Sequence, residues 1–411
     1  MHRFLTRALR AERHELPALA WAFAYFFLLL SSYYVLRPVR DALAVELGSQ
    51  ALKPLFTGTL AAMLGLVPVF GWLASRLPRA RLLPAVYAFF VVNLLAFALE
   101  LNARVFFVWL SVFNLFVVSV FWSFMSDIFD ARQATRLYGT IAAGGSCGAI
   151  AGPLIAALVP QSRVLLLLSA LLLAATIVCI RALARWARAH PRATEPPAEA
   201  PLGGSILAGA RAALTSPFLL AICGYLLCYT ALSTALYFQQ VEIVRDAVPD
   251  PQQRTRLFAS VDFVVNGLTL VIQVLAFSRL AGLLGPPGML AAVPLLSVAG
   301  FVWLGAIPTL TVLIVFGIVR RVGEFAISKP AREALFTVVP REERYKAKNF
   351  IDTVVYRGGD ALAGWVFAGV SAFAAAALAL GWTGLALFLG VRMKAWTRDD
   401  ARSSPRLQRQ R

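Results

Sequence analysis

Two stretches of this chain, residues 105–125 and 163–180, are apolar on every side of a helix. Such a helix has no face to offer water, so it belongs in a core or in lipid. Composition decides between the two. Hydrophobic residues make up 59% of the 411 and charged residues only 15%, against about 25% charged in a soluble domain. Mean hydropathy is +0.73. Reading the chain for runs of roughly 20 apolar residues gives spans at 17–36, 51–74, 82–101, 105–127, 138–159, 163–184, 217–240, 257–278, 288–305, 309–327, 349–371 and 373–391. The expected class is an all-α, polytopic membrane protein.

The net charge is +18, which in a soluble protein would first suggest nucleic acid. In a membrane protein, basic residues instead collect in cytoplasmic loops. With the N-terminus inside, 30 Lys and Arg fall on inner segments or at the inner ends of spans, and eight on the outer side: Arg37, Arg40, Lys53, Arg104, Arg163, Arg245, Arg254 and Arg256. Both termini are therefore expected to be cytoplasmic, and no nucleic-acid partner is expected. Residues 1–16 carry four arginines before the first apolar run, as a signal peptide would. That run is too long for a signal peptide and no small-x-small cleavage site closes it, so it reads as an uncleaved first span. Cys147, Cys179, Cys223 and Cys228 all lie in spans and read as buried thiols.

Between the sixth and seventh spans, 185–213 has linker composition, with Pro196-Pro197, Pro201 and Gly203-Gly204. The expected organisation is a tail at 1–16, a six-helix half at 17–184, the linker, a second half at 214–391, and a basic tail at 392–411. The halves echo each other. Val39-Arg40-Asp41-Ala42 returns as Val244-Arg245-Asp246-Ala247, Leu55-Phe56 as Leu257-Phe258, and Ser75-Arg76-Leu77 as Ser278-Arg279-Leu280, in the same order. This pattern resembles the major facilitator superfamily, whose parallel repeats enclose a site near the bilayer midplane. Its inner-loop motif is matched weakly by Gly71-Trp72-Leu73-Ala74-Ser75-Arg76-Leu77-Pro78-Arg79-Ala80-Arg81, with Ser75 where the family has Asp and Pro78 where it has Gly. The basic part of the loop survives without its acidic partner. A different gate contact is expected, from among Arg76, Asp127 and Arg136.

The chain has no phosphate-binding Gly-rich loop with Lys, no His-Glu-x-x-His and only three histidines, so it is read as a non-enzyme with neither cofactor nor metal. The informative residues are charges in apolar runs, each costing about 2.5–3.5 kcal/mol at a helix centre unless it is paired or faces water. Tyr33, Arg37, Arg40 and Asp41 share a face if the first helix continues past Leu36. Two guanidiniums there suit a phosphate or carboxylate, and a solvated outer helix end is the alternative. On the eighth span Asp262, Asn266, Thr269 and Gln273 form a polar stripe that belongs on a cavity or a helix interface, with Asp262 a cation or proton site or the partner of an arginine. Tyr225, Tyr229, Ser233 and Gln240 form a weaker stripe, suited to stacking a base or to helix packing. Arg320, Glu324 and Ser328 repeat at every fourth residue, as a gate ion pair or as intrahelical support. In the eleventh span Asp352, Tyr356 and Asp360 share a face, with Arg357 three before Asp360. Gly144, Gly148 and Gly152 permit a close helix approach. With Gly139, Pro153, Ala156 and Ala157 they resemble the antiporter motif of facilitator drug exporters.

Three segments are more specific. Phe121-Trp122-Ser123-Phe124-Met125-Ser126-Asp127 with Arg136-Leu137-Tyr138-Gly139, the run Lys346-Ala347-Lys348-Asn349-Phe350-Ile351-Asp352-Thr353-Val354-Val355, and Leu36-Arg37-Pro38-Val39-Arg40-Asp41 resemble the ATP/ADP translocase family and its shorter bacterial relatives. The resemblance implies exchange of nucleotides. It places that family's Lys-Asp pair on Arg40-Asp41. The acidic residue of its fourth span has no counterpart here, where Asn114 is the only strongly polar group, and the one before its eighth span falls near Thr255. Its eleventh-span Lys falls near Asp360, with Arg357 one turn earlier. The expected function is secondary transport of a nucleotide or related phosphorylated anion. Two alternatives stay open: a proton-coupled antiporter of a lipophilic or cationic compound, and a non-transporting membrane scaffold or sensor. The expected partners are a small-molecule substrate and the lipid bilayer, with no obligate protein partner, and the expected location is a bacterial inner membrane.

Overall fold

The structure is a computed structural model, and it describes residues 12, 14–76, 79–190, 211, 213–339, 347, 348, 350–367 and 369–407. The linker from 191 to 210, the tail up to 11 and residues 340–346 lie outside the described residues. So do most side chains of the inner-loop motif and that of Asp352.

Each expected span is helical over most of its described residues. In chain order the helices are α1 (Leu16–Leu47), α2 (Ser49–Arg76), α3 (Arg79–Leu99), α4 (Ala103–Ile128), α5 (Ala131–Leu158), α6 (Ser162–Ala189), α7 (Pro217–Ala247), α8 (Pro251–Leu275), α9 (Phe277–Ala306), α10 (Leu310–Gly323), α11 (Lys329–Leu335), α12 (Tyr356–Val366) and α13 (Ala372–Leu407). Among the described residues nine helices are long and apolar enough to cross a membrane. The protein is an all-α integral membrane protein.

Polar residues at the helix ends explain several boundaries. The Asn102 side chain accepts from the backbone N–H of Arg104 and Val105, starting α4. Asp130 and Gln133 form a reciprocal capping box on α5. Asp250 accepts from the N–H of Gln252 and Gln253 at the start of α8. Gly48, at φ 84°, ends α1 and donates its N–H to the Ala44 carbonyl.

Three departures from the expected spans bear on function. First, α1 runs on to Leu47 with Pro38 inside it, so Arg37, Arg40 and Asp41 are helical residues and not part of a loop. Second, α9 is broken at Gly285, φ 61°, just before Pro286-Pro287. Third, the tenth span is not one regular helix: a π turn over Glu324–Ser328 joins α10 to α11. Pro330 accounts for it. The Lys329 N–H bonds to the Glu324 carbonyl, five residues back, and the next donor in that register would be residue 330, which has no N–H. The Phe325 carbonyl it would have served is met by the Gln273 side chain at 3.1 Å. A second π turn, Ile351–Val355, leads into α12.

The chain forms two compact units. One comprises Met1–Pro196 with Val248–Asn266, the other Pro197–Ala247 with Gly267–Arg411. In the first, α1 packs most extensively on α5 and then on α6. A Cβ on Gly144 would sit 2.5 Å from the Phe23 carbonyl oxygen, on Gly148 2.4 Å from that of Phe27, and on Gly152 2.8 Å from that of Ser31. The glycine ladder therefore sets backbone-to-backbone contact between α5 and α1. Ser32 and Ser169 join α1 to α6 reciprocally: each hydroxyl bonds the other's carbonyl, at 3.1 and 3.0 Å, and the hydroxyls lie 2.8 Å apart. Tyr25 bonds Tyr87 within a core of Phe106, Phe113 and Phe121. In the second unit α9 packs chiefly on α13, and α7 on α12 and α13.

Candidate functional site

Among the described residues, charged side chains on apolar helices gather in each unit. In the first unit the extended α1 turns its cationic face toward acidic partners. Arg37 Nη1 lies 3.5 Å from Asp262 Oδ1, and the Asp262 side chain is 2% exposed. Arg40 reaches Asp41 Oδ1 through Nε at 3.0 Å and Nη2 at 2.7 Å, and its guanidinium lies over the Phe107 ring. Arg37 lies over Tyr34. The expected two-arginine fork is thus modified, because each guanidinium already has a carboxylate beside it. Both guanidiniums are partly buried, and a carboxylate beside each offsets the cost of that burial.

The α8 stripe does not act as one surface. Asp262 meets Arg37, and Asn266 donates to the Ala149 carbonyl at 2.8 Å, both within the first unit. Gln273 serves Phe325 in the second. Asn114 stands half-buried on α4.

In the second unit Arg320, Glu324 and Arg332 are 4%, 4% and 7% exposed. Arg320 and Glu324, expected as a gate ion pair or as intrahelical support, interact electrostatically, but each also has another partner. Glu324 faces Arg332 at 3.6 Å, while Arg320 donates to Ser233 Oγ at 2.8 Å and lies over the Tyr229 ring. The π turn is the cause. Residues eight apart are about 80° apart around a regular helix, and one inserted residue brings them to within about 20°. Arg332 continues the four-residue series of Arg320, Glu324 and Ser328, but on a regular helix it would stand about 80° round from Glu324, and it is the π turn that brings it onto that face. Tyr225, fully buried, bonds Ser328 Oγ at 2.9 Å and the Leu290 carbonyl at 3.2 Å, so it packs helices and presents no face for a base. Tyr229 lies beside Tyr356 and Trp382. Arg357 and Asp360 pair at 3.6 Å. Arg245 is exposed in the last turn of α7.

Arg136, one of the residues expected at a gate, lies near the start of α5. It bonds Glu15 at 2.9 Å, and Glu15 Oε1 also accepts from Gln133 at 2.9 Å. Trp186 Nε1 donates to the His14 carbonyl, so the start of α1 is held by both α5 and α6. Burial pushes the Glu15 carboxyl upward, but the Glu12 backbone N–H, Gln133 and Arg136 outweigh it and hold Glu15 below the ordinary carboxylate range. Glu15, Gln133 and Trp186 lie outside the motifs that drew attention to this end, and only Arg136 was legible. Arg76 is exposed at the end of α2, and Asp127 half-buried near the end of α4.

This arrangement defines a helical membrane transporter fold with charged groups inside it. Residues 18–359 match the Major Facilitator Superfamily, and the chain belongs to that family. Comparison with curated protein sequences gives no match. Among solved structures it is similar to a bacterial homologue of the human lysosomal transporter Spinster, inward-facing and unoccupied, at TM-score 0.61 and 13% identity, covering 94% of this chain and 95% of that one. It is also similar to the nucleoside transporter NupG at TM-score 0.59 and 13% identity, covering 94% and 99%. A third is a bacterial homologue of the iron transporter ferroportin, at TM-score 0.62 and 11% identity, covering 93% and 98%. At these identities the likeness is one of fold.

Proposed function

We propose that the protein is a secondary transporter that exchanges nucleotides, or a related phosphorylated anion, by alternating access across a bacterial inner membrane. The observation that carries this reading is the pair of α1 guanidiniums, Arg37 and Arg40, each held by a carboxylate at 3.5 and 2.7 Å. A phosphate offers the same oxygens with more charge and so competes with Asp262 and Asp41 for them. The substrate would trade places with the resident carboxylates, keeping the arginines neutralised with and without cargo. The ATP/ADP translocase-like segments, which include Arg40-Asp41, support the same substrate class.

The test is uptake of labelled ADP into proteoliposomes preloaded with ATP, with inorganic phosphate, or with buffer alone. Uptake confined to ATP-loaded vesicles, and lost in Arg40→Ala, is the expected result. Absence of uptake under all three loads would overturn nucleotide exchange.

A second reading, proton-coupled antiport of a lipophilic or cationic compound, draws on the antiporter-like glycine ladder packed on α1 and on the deeply buried Asp262. It requires transport that stops when the proton gradient is dissipated and in Asp262→Asn, neither of which follows from nucleotide exchange alone.

A further inference from the structure

The second unit contains a cluster whose charges and hydrogen bonds do not balance. Two guanidiniums, Arg320 and Arg332, act on one carboxylate, Glu324, and all three side chains are more than nine-tenths buried. The surplus is one positive charge. At 3.6 Å the Glu324–Arg332 contact is also longer than the roughly 2.7–2.9 Å of a charge-assisted hydrogen bond. Among the described residues, Arg320 Nε, Arg332 Nη1, Glu324 Oε2 and Trp382 Nε1 are buried without a hydrogen-bond partner. Trp382 is fully buried against Tyr225 and Tyr229, Tyr229 is the ring under Arg320, and Tyr225 bonds Ser328 in the turn that carries Glu324, so the tyrosine pair links Trp382 to the charged residues. Buried polar groups are almost always satisfied, and an orphaned set is expected to have an occupant.

The occupant's chemistry follows from the orphans. Three are donors and carry two positive charges between them, which calls for an oxyanion. The fourth, Glu324 Oε2, is an acceptor and calls for a proton on the same ligand. A singly protonated phosphate, or a phosphate monoester with one acidic hydrogen, supplies both. We infer that Arg320, Arg332 and Trp382, opposed by Glu324, form an oxyanion-binding site within the second unit, separate from the α1 arginines. The π turn is what makes it, since it brings Arg332 onto the face of Glu324. Lys329, exposed one residue past the turn, adds to the positive field at Glu324.

The assignment does not depend on nucleotide exchange, because it is read by binding alone. Inorganic phosphate is titrated into the full chain in detergent by calorimetry, with chloride as the control anion. Arg320→Gln and Arg332→Gln should each weaken binding by about tenfold or more, as loss of a charge-assisted contact does. Trp382→Phe, which removes only the N–H, should weaken it by a few-fold. Glu324→Gln gives the sign that a purely structural ion pair would not: by removing the competing negative charge it should tighten phosphate binding. Repeating the titration with phosphatidylglycerol present identifies the source, since competition assigns the resident phosphate to a lipid headgroup and its absence to a soluble one. Phosphate binding no stronger than chloride, or equal in wild type, Trp382→Phe and Glu324→Gln, overturns the site even if the arginine variants fail to fold. Loss of ADP exchange with phosphate binding intact would refute the proposed transport and leave this site standing.

Discussion

A charge in an apolar helix persists only where something answers it. Asp262 is 1% exposed overall and lies 3.5 Å from Arg37. Replacing it with Asn keeps the shape and leaves the guanidinium without its nearest carboxylate, which for a buried pair costs about 3 kcal/mol. Thermal unfolding in detergent should show that loss, and Arg37→Gln combined with Asp262→Asn should recover part of it. Strict additivity of the two single effects would mean the residues do not interact. Glu15 makes a prediction of a different kind. Its carboxyl is held below the ordinary value of 4.5, so the stability it contributes is fully present above pH 4.5 and is lost as the pH falls through the depressed folded value. Wild type should therefore lose melting temperature on acidification more steeply than Glu15→Gln, and parallel profiles would contradict the Glu15–Arg136 clamp. These residues also show what the sequence could reveal. Asp262 and Arg37 stood out because each interrupts an apolar run. Glu15 did not, because it lies among charges before the first span, and only the fold brings it to Arg136.

At the scale of elements, spacing was informative wherever the helix was regular. The α5 glycines were legible as a close-approach face because four-residue spacing holds through that helix, and the structure puts α1 backbone against it. The contact of Arg332 with Glu324 was not, because residues eight apart diverge by about 80° on a regular helix and only the π turn closes that angle. The helix ends were legible only in part. Asparagine and aspartate caps mark α4 and α8, but nothing in hydropathy marks the eleven residues by which α1 outruns its expected end at 36, since helices continue beyond lipid whenever local contacts sustain them. The ladder makes a sharp prediction. A methyl on Gly148 would lie 2.4 Å from the Phe27 carbonyl oxygen, which is backbone and has little room to yield, whereas a methyl on Gly139 meets nothing within 4 Å. Gly148→Ala should therefore destabilise by about 1–3 kcal/mol through overpacking. Gly139→Ala on the same helix should be neutral or slightly stabilising, because alanine is the better helix former. Equal melting temperatures for the two variants in detergent would show that α5 does not pack on α1 through this face.

For the whole molecule, the distribution of cationic residues couples sequence to orientation. Lysine and arginine near span ends resist translocation, and 30 of the 39 lie on or beside one set of alternate segments. We propose that this set is cytoplasmic, together with both termini and the linker. The proline-to-glycine stretch at 196–204 then faces the cell interior, and Gln161, exposed between α5 and α6, faces outward. Gln161 precedes α6 without capping it through its side chain, so it can be changed with little structural consequence. In a background lacking the four native cysteines, Gln161→Cys should react with a membrane-impermeant maleimide in intact cells, and Ser205→Cys only after permeabilisation. The reverse pattern would invert the molecule. It would put the Glu15–Arg136 contact, which ties the start of α1 to α5, on the outer side. The labelling therefore decides on which side that contact lies, without knowledge of the substrate.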